Sequence, residues 1–225
     1  MQVFSVKTAL LALSMASVLT GCGGDNQDTI LPAEYTVSVS NMSNFQPISP
    51  IGLGLHADGH WFEIGEAASL ALEKLAEGGD NSELLATAVS SMSMSGPLLP
   101  GATQTLRIEK GFGNYRLSAI GMLVNTNDAF TALDAVELEG MAVGEQKSFD
   151  LAVYDAGTEA NSEAAGTIPG PADGGEGFNA LRDDKNVVSM HSGVVTKDDG
   201  LATSVLTEQA RFDNPVLHLV LTRTK

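Results

Sequence analysis

Between Asp150 and Asn161 the chain reads DLAVYDAGTEAN, and this stretch constrains the fold more than any other. Phe149, Leu151 and Val153 alternate with Asp150, Ala152 and Tyr154, the two-residue period of a half-buried strand. The alternation stops at Asp155. Ala156-Gly157-Thr158 then turns the chain, and Glu159 and Asn161 bring further oxygens back towards Asp155, an arrangement suited to a hard cation.

The same period recurs elsewhere. In EYTVSVSN, Tyr35, Val37 and Val39 alternate with Thr36, Ser38 and Ser40, and a second strand is expected over Ile51 to Leu55. The period then changes. Ala68, Ala71, Leu72, Leu75 and Ala76 form one face of a helix whose other face carries Glu66, Glu73 and Glu77, and Gly78-Gly79 ends it. Asp80-Asn81-Ser82-Glu83 reads as a cap for a second short helix with Leu84, Leu85, Ala88, Val89 and Met92 on its apolar face. The run SSMSMSGPLLPG over 90–101 has no period and is expected to be a loop. Strands are expected again in TLRIEK, over Arg116 to Val124, Ala135 to Leu138, Lys147 to Tyr154, Asn186 to Val195 and Pro215 to Arg223. About eight strands with turn signals between them predict a mainly β antiparallel sandwich, with the two helices inserted after the second strand.

The amino terminus predicts an address. Lys7 precedes an apolar stretch from Thr8 to Val18, the pattern of a secretory leader and too short to span a bilayer. Leu19-Thr20-Gly21-Cys22 looks like the lipobox of bacterial lipoproteins, and Cys22 is the one cysteine of the chain. A leader over 1–21, a lipidated spacer over 22–33 and one domain over 34–225 are expected. Gly23 after the cysteine, by resemblance to Gram-negative lipoproteins, favours the outer membrane. The formal charge of −16 becomes one unit more negative without Lys7, since the leader holds no acid. Nucleic acid is therefore excluded as a partner, and the lipid is the expected contact with the membrane.

The motif at 150–161 closely resembles the signature of the spondin domain, an extracellular module of matrix and cell-adhesion proteins. ISPIGLGLH at 48–56, EAASLALEKLAEGGD at 66–80 and NPVLHLVLTR at 214–223 are similar to further spondin segments, in the same order. The resemblance covers the chain from Tyr35 onward. It implies an eight-stranded antiparallel sandwich akin to calcium-dependent membrane-targeting modules. It also implies one calcium ion held by three acids, which map to Asp155 in the Asp-Ala-Gly-Thr turn, Asp128 in NTNDAF, and Glu109 on its strand. Here Thr126-Asn127 replaces the family's Ser-Pro, and Ala129-Phe130 its tryptophan. Leu106 and Ile108 point to the core, so Glu109 faces the other way. Three converging carboxylates would raise one another's pKa without a cation. Asp155 as a turn cap, Asp128 in an Asx-turn and Glu109 as a solvated strand residue are the structural alternatives.

His56, His60 and Glu63 are spaced like a helical zinc site, but Asp58-Gly59 between them predicts a turn. His191 and His218 fall on expected strands. No nucleophile elbow, phosphate loop or Cys-His pair is present. The glycine- and acid-rich stretch over 167–184 is expected to be a surface loop able to reach a partner, a protein or a glycan. The expected function is a calcium-binding adhesion module of the bacterial envelope, not an enzyme. A hydrolase using paired acids and a purely structural envelope protein are the rivals.

Overall fold

The computed structural model of the protein describes residues 32–225 apart from Phe112. The expected leader, Cys22 and most of the expected spacer lie outside the described residues. In chain order come β1 (Ala33–Asn41), β2 (Gly52–His56), α1 (Leu70–Gly78), α2 (Ser82–Leu85), β3 (Ser90–Ser93) and β4 (Thr103–Lys110). After them come β5 (Arg116–Met122), β6 (Ala129–Glu137), β7 (Gln146–Leu151), β8 (Val153–Asp155), β9 (Ser189–Met190) and β10 (Leu217–Arg223).

The strands form two antiparallel sheets, one of four in the order β4-β1-β10-β7 and one of six in the order β3-β2-β5-β6-β8-β9. Val37 and Val39 from β1 and Leu219 and Leu221 from β10 meet Leu53, Leu55, Leu117 and Leu133 of the larger sheet in a common core. Burying each such side chain is worth roughly 1.5–3 kcal/mol. The outer face of the six-stranded sheet is also covered, since Ile120, Phe130 and Ala132 pack against Trp61, Leu72, Leu75 and Leu84. β7 and β8 are halves of one run: β7 pairs with β10 as far as Leu151, and β8 pairs with β6 from Val153. The chain thus crosses between sheets at Ala152. With that run counted once and the two-residue β9 set aside, eight strands build the sandwich, as expected.

Local details depart from the sequence reading where tertiary contacts intervene. α1 starts at the Ser69 cap, whose Oγ accepts from Leu72 N–H at 3.1 Å, and ends at Gly79 in the left-handed region (φ 70°). Its stripe Ala68, Leu72, Leu75 and Ala76 is buried as expected. Glu73 and Glu77, expected to face solvent, are instead 2% and 1% exposed, because residues 176–186 cover that side of the helix. α2 is a single turn. Asn81 turns inward to bond Pro50 O and Ser93 Oγ, and Ser90–Ser93, expected in a loop, pairs with β2 as a strand. The strand expected over Asn186 to Val195 shrinks to Ser189–Met190. β6 begins at Ala129 rather than Ala135, because both its faces are buried and no alternation marks it.

Candidate metal centre

The register sets Ala129 of β6 opposite Asp155 of β8, so Asp128 and Asp155 emerge side by side at one end of the larger sheet. Thr126 shapes the approach to Asp128. Its Oγ1 donates to Leu123 O at 2.6 Å and accepts from Ala129 N–H at 3.1 Å. Asp128 is completely buried. Its Oδ2 accepts from Thr158 N–H at 2.8 Å, Glu159 N–H at 3.1 Å and Thr158 Oγ1 at 3.3 Å, so the acid turn after β8 is folded onto this one carboxylate. Its Oδ1 has no hydrogen-bond partner.

Asp155 Oδ1 accepts from Gly157 N–H at 2.7 Å, closing an Asx-turn, and Oδ2 accepts from Asn161 Nδ2 at 2.6 Å. Only glycine fits at 157. Its φ is 68°, and a Cβ there would lie 2.4 Å from Val187 O. A relay extends outward from Asn161. Gly193 N–H donates to His191 Nδ1 at 2.9 Å, so the ring proton sits on Nε2 and is donated to Asn161 Oδ1 at 3.2 Å.

Electrostatics mark the cluster as strained. Burial, with the charge of Asp155 added, pushes Asp128 up to about 7 despite the bonds from Thr158 and Glu159. Burial likewise pushes Glu159 up to about 7, against the bond from Asn127 Nδ2 at 2.9 Å, and Glu77, Asp128 and Asp183 add repulsion. Glu77 is raised by burial. The pKa of His191 is lowered, since desolvation outweighs attraction to Asp155.

Of the three acids implied by the family resemblance, the structure brings two together. Glu109 is exposed on β4, the edge of the other sheet, opposite Glu34 at the start of β1. β1 ends at Asn41, whose Nδ2 donates to Gln46 O, and Gln46 in turn bonds Asn125 in the Asp128 loop. At ~3.3 Å per residue the length of β1 sets Glu109 about 20 Å from that end. The alternation of Ile108 and Glu109 is as expected, but β4 lies at the edge of the four-stranded sheet, away from Asp128 and Asp155. Glu159, expected to bring an oxygen towards Asp155, instead donates its N–H to Asp128, and its carboxylate accepts from Asn127 Nδ2. The cluster forms a chain of pairs, and among the described residues no group of three His, Cys, Asp or Glu side chains is gathered closely enough to hold a metal ion.

The other candidates stand elsewhere. His56 is buried edge-on to Trp61, with ring centroids 4.8 Å apart, and Glu63 is exposed. His60 Nδ1 and Ser118 Oγ both bond Asp134, at 2.8 Å each, so the carboxylate separates hydroxyl from imidazole and no Ser–His proton transfer is set up. His218 pairs with Asp150 at 2.6 Å on the surface. Among the described residues no helix is long and apolar enough to cross a membrane. The chain matches no protein-family model and no curated protein.

Proposed function

We propose that the chain is a spondin-like, calcium-binding module in which Asp128 and Asp155 hold one cation, with backbone carbonyls and water as its further ligands, tethered to the bacterial envelope at the outer membrane through a lipid on Cys22. The observation that carries the cation reading is the buried, unpartnered Oδ1 of Asp128 beside a second carboxylate. A buried acceptor left without a partner costs about 1–3 kcal/mol, more when charged. A dication offsets both that deficit and the repulsion from Asp155. Calcium fits the donor set, since it takes ~6–8 oxygens from carboxylates, carbonyls and water without demanding strict geometry. Asn127, Thr158 and Asn161 orient the acids through neutral donors, which leaves the negative charge for the ion.

Binding rather than turnover is the role proposed, with the loops around the acid turn as the surface for a protein or glycan. Calcium should raise the melting temperature of the purified chain, by roughly 2.7 kcal/mol of stability at about a hundred times Kd. Asp155→Asn should abolish that response, while Asp213→Asn, at an exposed position, should keep it. A melting temperature that follows ionic strength alone, equally in all three proteins, would defeat the proposal.

A further inference from the structure

The two ends of the sandwich differ in charge. Where β1 begins, its register sets Lys110 opposite Ala33, Arg107 opposite Thr36 and Arg223 opposite Tyr35, and Lys225 exchanges backbone hydrogen bonds with Glu34. Lys147 lies opposite Leu221, two residues before Arg223. Arg116 of the larger sheet reaches the same end: the Tyr35 hydroxyl donates to Leu138 O, and Leu138 N–H donates to the carbonyl of Tyr115, its neighbour. Beyond the expected leader the chain has eleven Lys and Arg residues, and these are six of them. Six acids accompany them, Glu34, Asp58, Glu109, Glu137, Glu139 and Glu145, so the side chains of this end are formally neutral. The rest of the chain from Pro32 onward holds five basic residues and twenty acids.

Arg107 and Arg116 are paired with Glu34 and Glu137, but Lys110, Lys147, Arg223 and Lys225 form no ion pair among the described residues. An apolar tip stands beside them. Val143 is 65% exposed on a turn closed by Glu145 N–H to Ala142 O and held to the sheet by Gly144 N–H to Arg223 O. We infer that this end of the sandwich docks on the anionic phospholipid headgroups of the bilayer that holds the anchor, with Val143 entering the interface and the acid turn pointing away. The inference rests on the lipid tether proposed at Cys22. That residue lies ten before Pro32, a reach of at most about 36 Å, and β1 starts at Ala33. Lys and Arg near an anionic bilayer are attracted to it. At ~3.3 Å per residue, β1 sets its far end about 25 Å further out. The screening length is ~8 Å at physiological salt, so the acidic end is shielded from the headgroups in this orientation and would be repelled by them in the inverted one.

The lipidated full chain, purified from membranes and reconstituted into vesicles of equal parts phosphatidylglycerol and phosphatidylethanolamine, tests this. Lipidation blocks the thiol of Cys22, so Ala142→Cys and Asn44→Cys each offer one thiol for a fluorescent label. Both positions are exposed; Ala142 adjoins Val143, and Asn44 follows the far end of β1. A quencher attached to the headgroups should quench the label at 142 at least about threefold more than the label at 44. Lys110→Glu combined with Lys225→Glu, or salt at about 1 M, where the screening length is ~3 Å, should bring that ratio towards one. Equal quenching at the two positions, stronger quenching at 44, or a ratio unmoved by both the charge reversals and salt would each overturn the docking surface and leave the tether standing. A chain that does not fractionate with membranes at all would remove the tether and this surface with it.

Discussion

Replacing Asp128 with Asn keeps the side chain's shape and removes its charge, and the sign of its effect on stability should reverse with calcium. Without metal, the buried carboxyl titrates at about 7 instead of 3.8. A carboxyl whose pKa is raised by folding binds its proton more tightly in the native state. Its cost is therefore absent below pH 3.8, accumulates as the pH rises from there to about 7, and is complete above that. At ~1.4 kcal/mol per pH unit, the full cost is about 4 kcal/mol. The Asn variant escapes it but sets an amide nitrogen where Oδ1 lacked a partner, at a cost of about 1–3 kcal/mol. Metal-free Asp128→Asn should therefore be about 1–3 kcal/mol more stable than wild type at pH 8, and less stable at pH 4. Calcium at about a thousand times Kd adds roughly 4 kcal/mol to the wild type alone, and the order at pH 8 should invert. Urea denaturation followed by the fluorescence of Trp61, the one tryptophan, reads all three conditions. A variant destabilised by the same amount in every condition would show that Asp128 is only an acceptor for the Thr158–Glu159 turn, and the electrostatic reasoning would be wrong.

Gly157→Ala should cost about 3 kcal/mol, because a Cβ at φ 68° meets the Val187 backbone at 2.4 Å; a loss under about 1 kcal/mol in the same assay would contradict the close approach. Arg182→Met should cost about 3 kcal/mol by leaving Glu73 buried without its partner, and adding Glu73→Gln should recover most of that loss; a double variant no more stable than Arg182→Met would point to packing instead. Cys22→Ala should move the protein from the membrane fraction to the soluble one, and unchanged fractionation would remove the lipid tether.

The sheets were legible because their strands alternate. Tyr35, Val37 and Val39 announce β1, and Leu217, Leu219 and Leu221 announce β10, since each has one face in the core and a more polar face outside. β6 was truncated in the reading because Ala129, Phe130, Thr131, Ala132 and Leu133 are buried on both faces and show no period. Asp155 and Asp128 were reached through the family resemblance, in the Asp-Ala-Gly-Thr turn and in NTNDAF, and the register of β6 with β8 is what sets them side by side. Glu109 could not be placed, because distance along the chain says nothing about which sheet a strand joins. Glu77 was hidden for a different reason: a helix pattern separates apolar from polar faces but cannot show that a distant segment will cover the polar one. The spacing of Glu73 and Glu77, four residues apart with no basic residue in the last turn of α1, was the signal available.

The crossing at Ala152 has a kinetic meaning. Asp155 lies on a run whose first half belongs to the four-stranded sheet and whose second half belongs to the six-stranded one, so the β6–β8 pairing that brings it to Asp128 sits where the chain passes between the sheets. The unfolded chain, in which the whole of β6 and β7 separates Asp128 from Asp155, offers no chelating site. If that pairing forms after the transition state for folding, an ion that recognises only the paired strands leaves the rate of folding almost untouched and slows the reverse reaction. Calcium would then act as a latch on a finished molecule, lengthening its lifetime without hastening its birth.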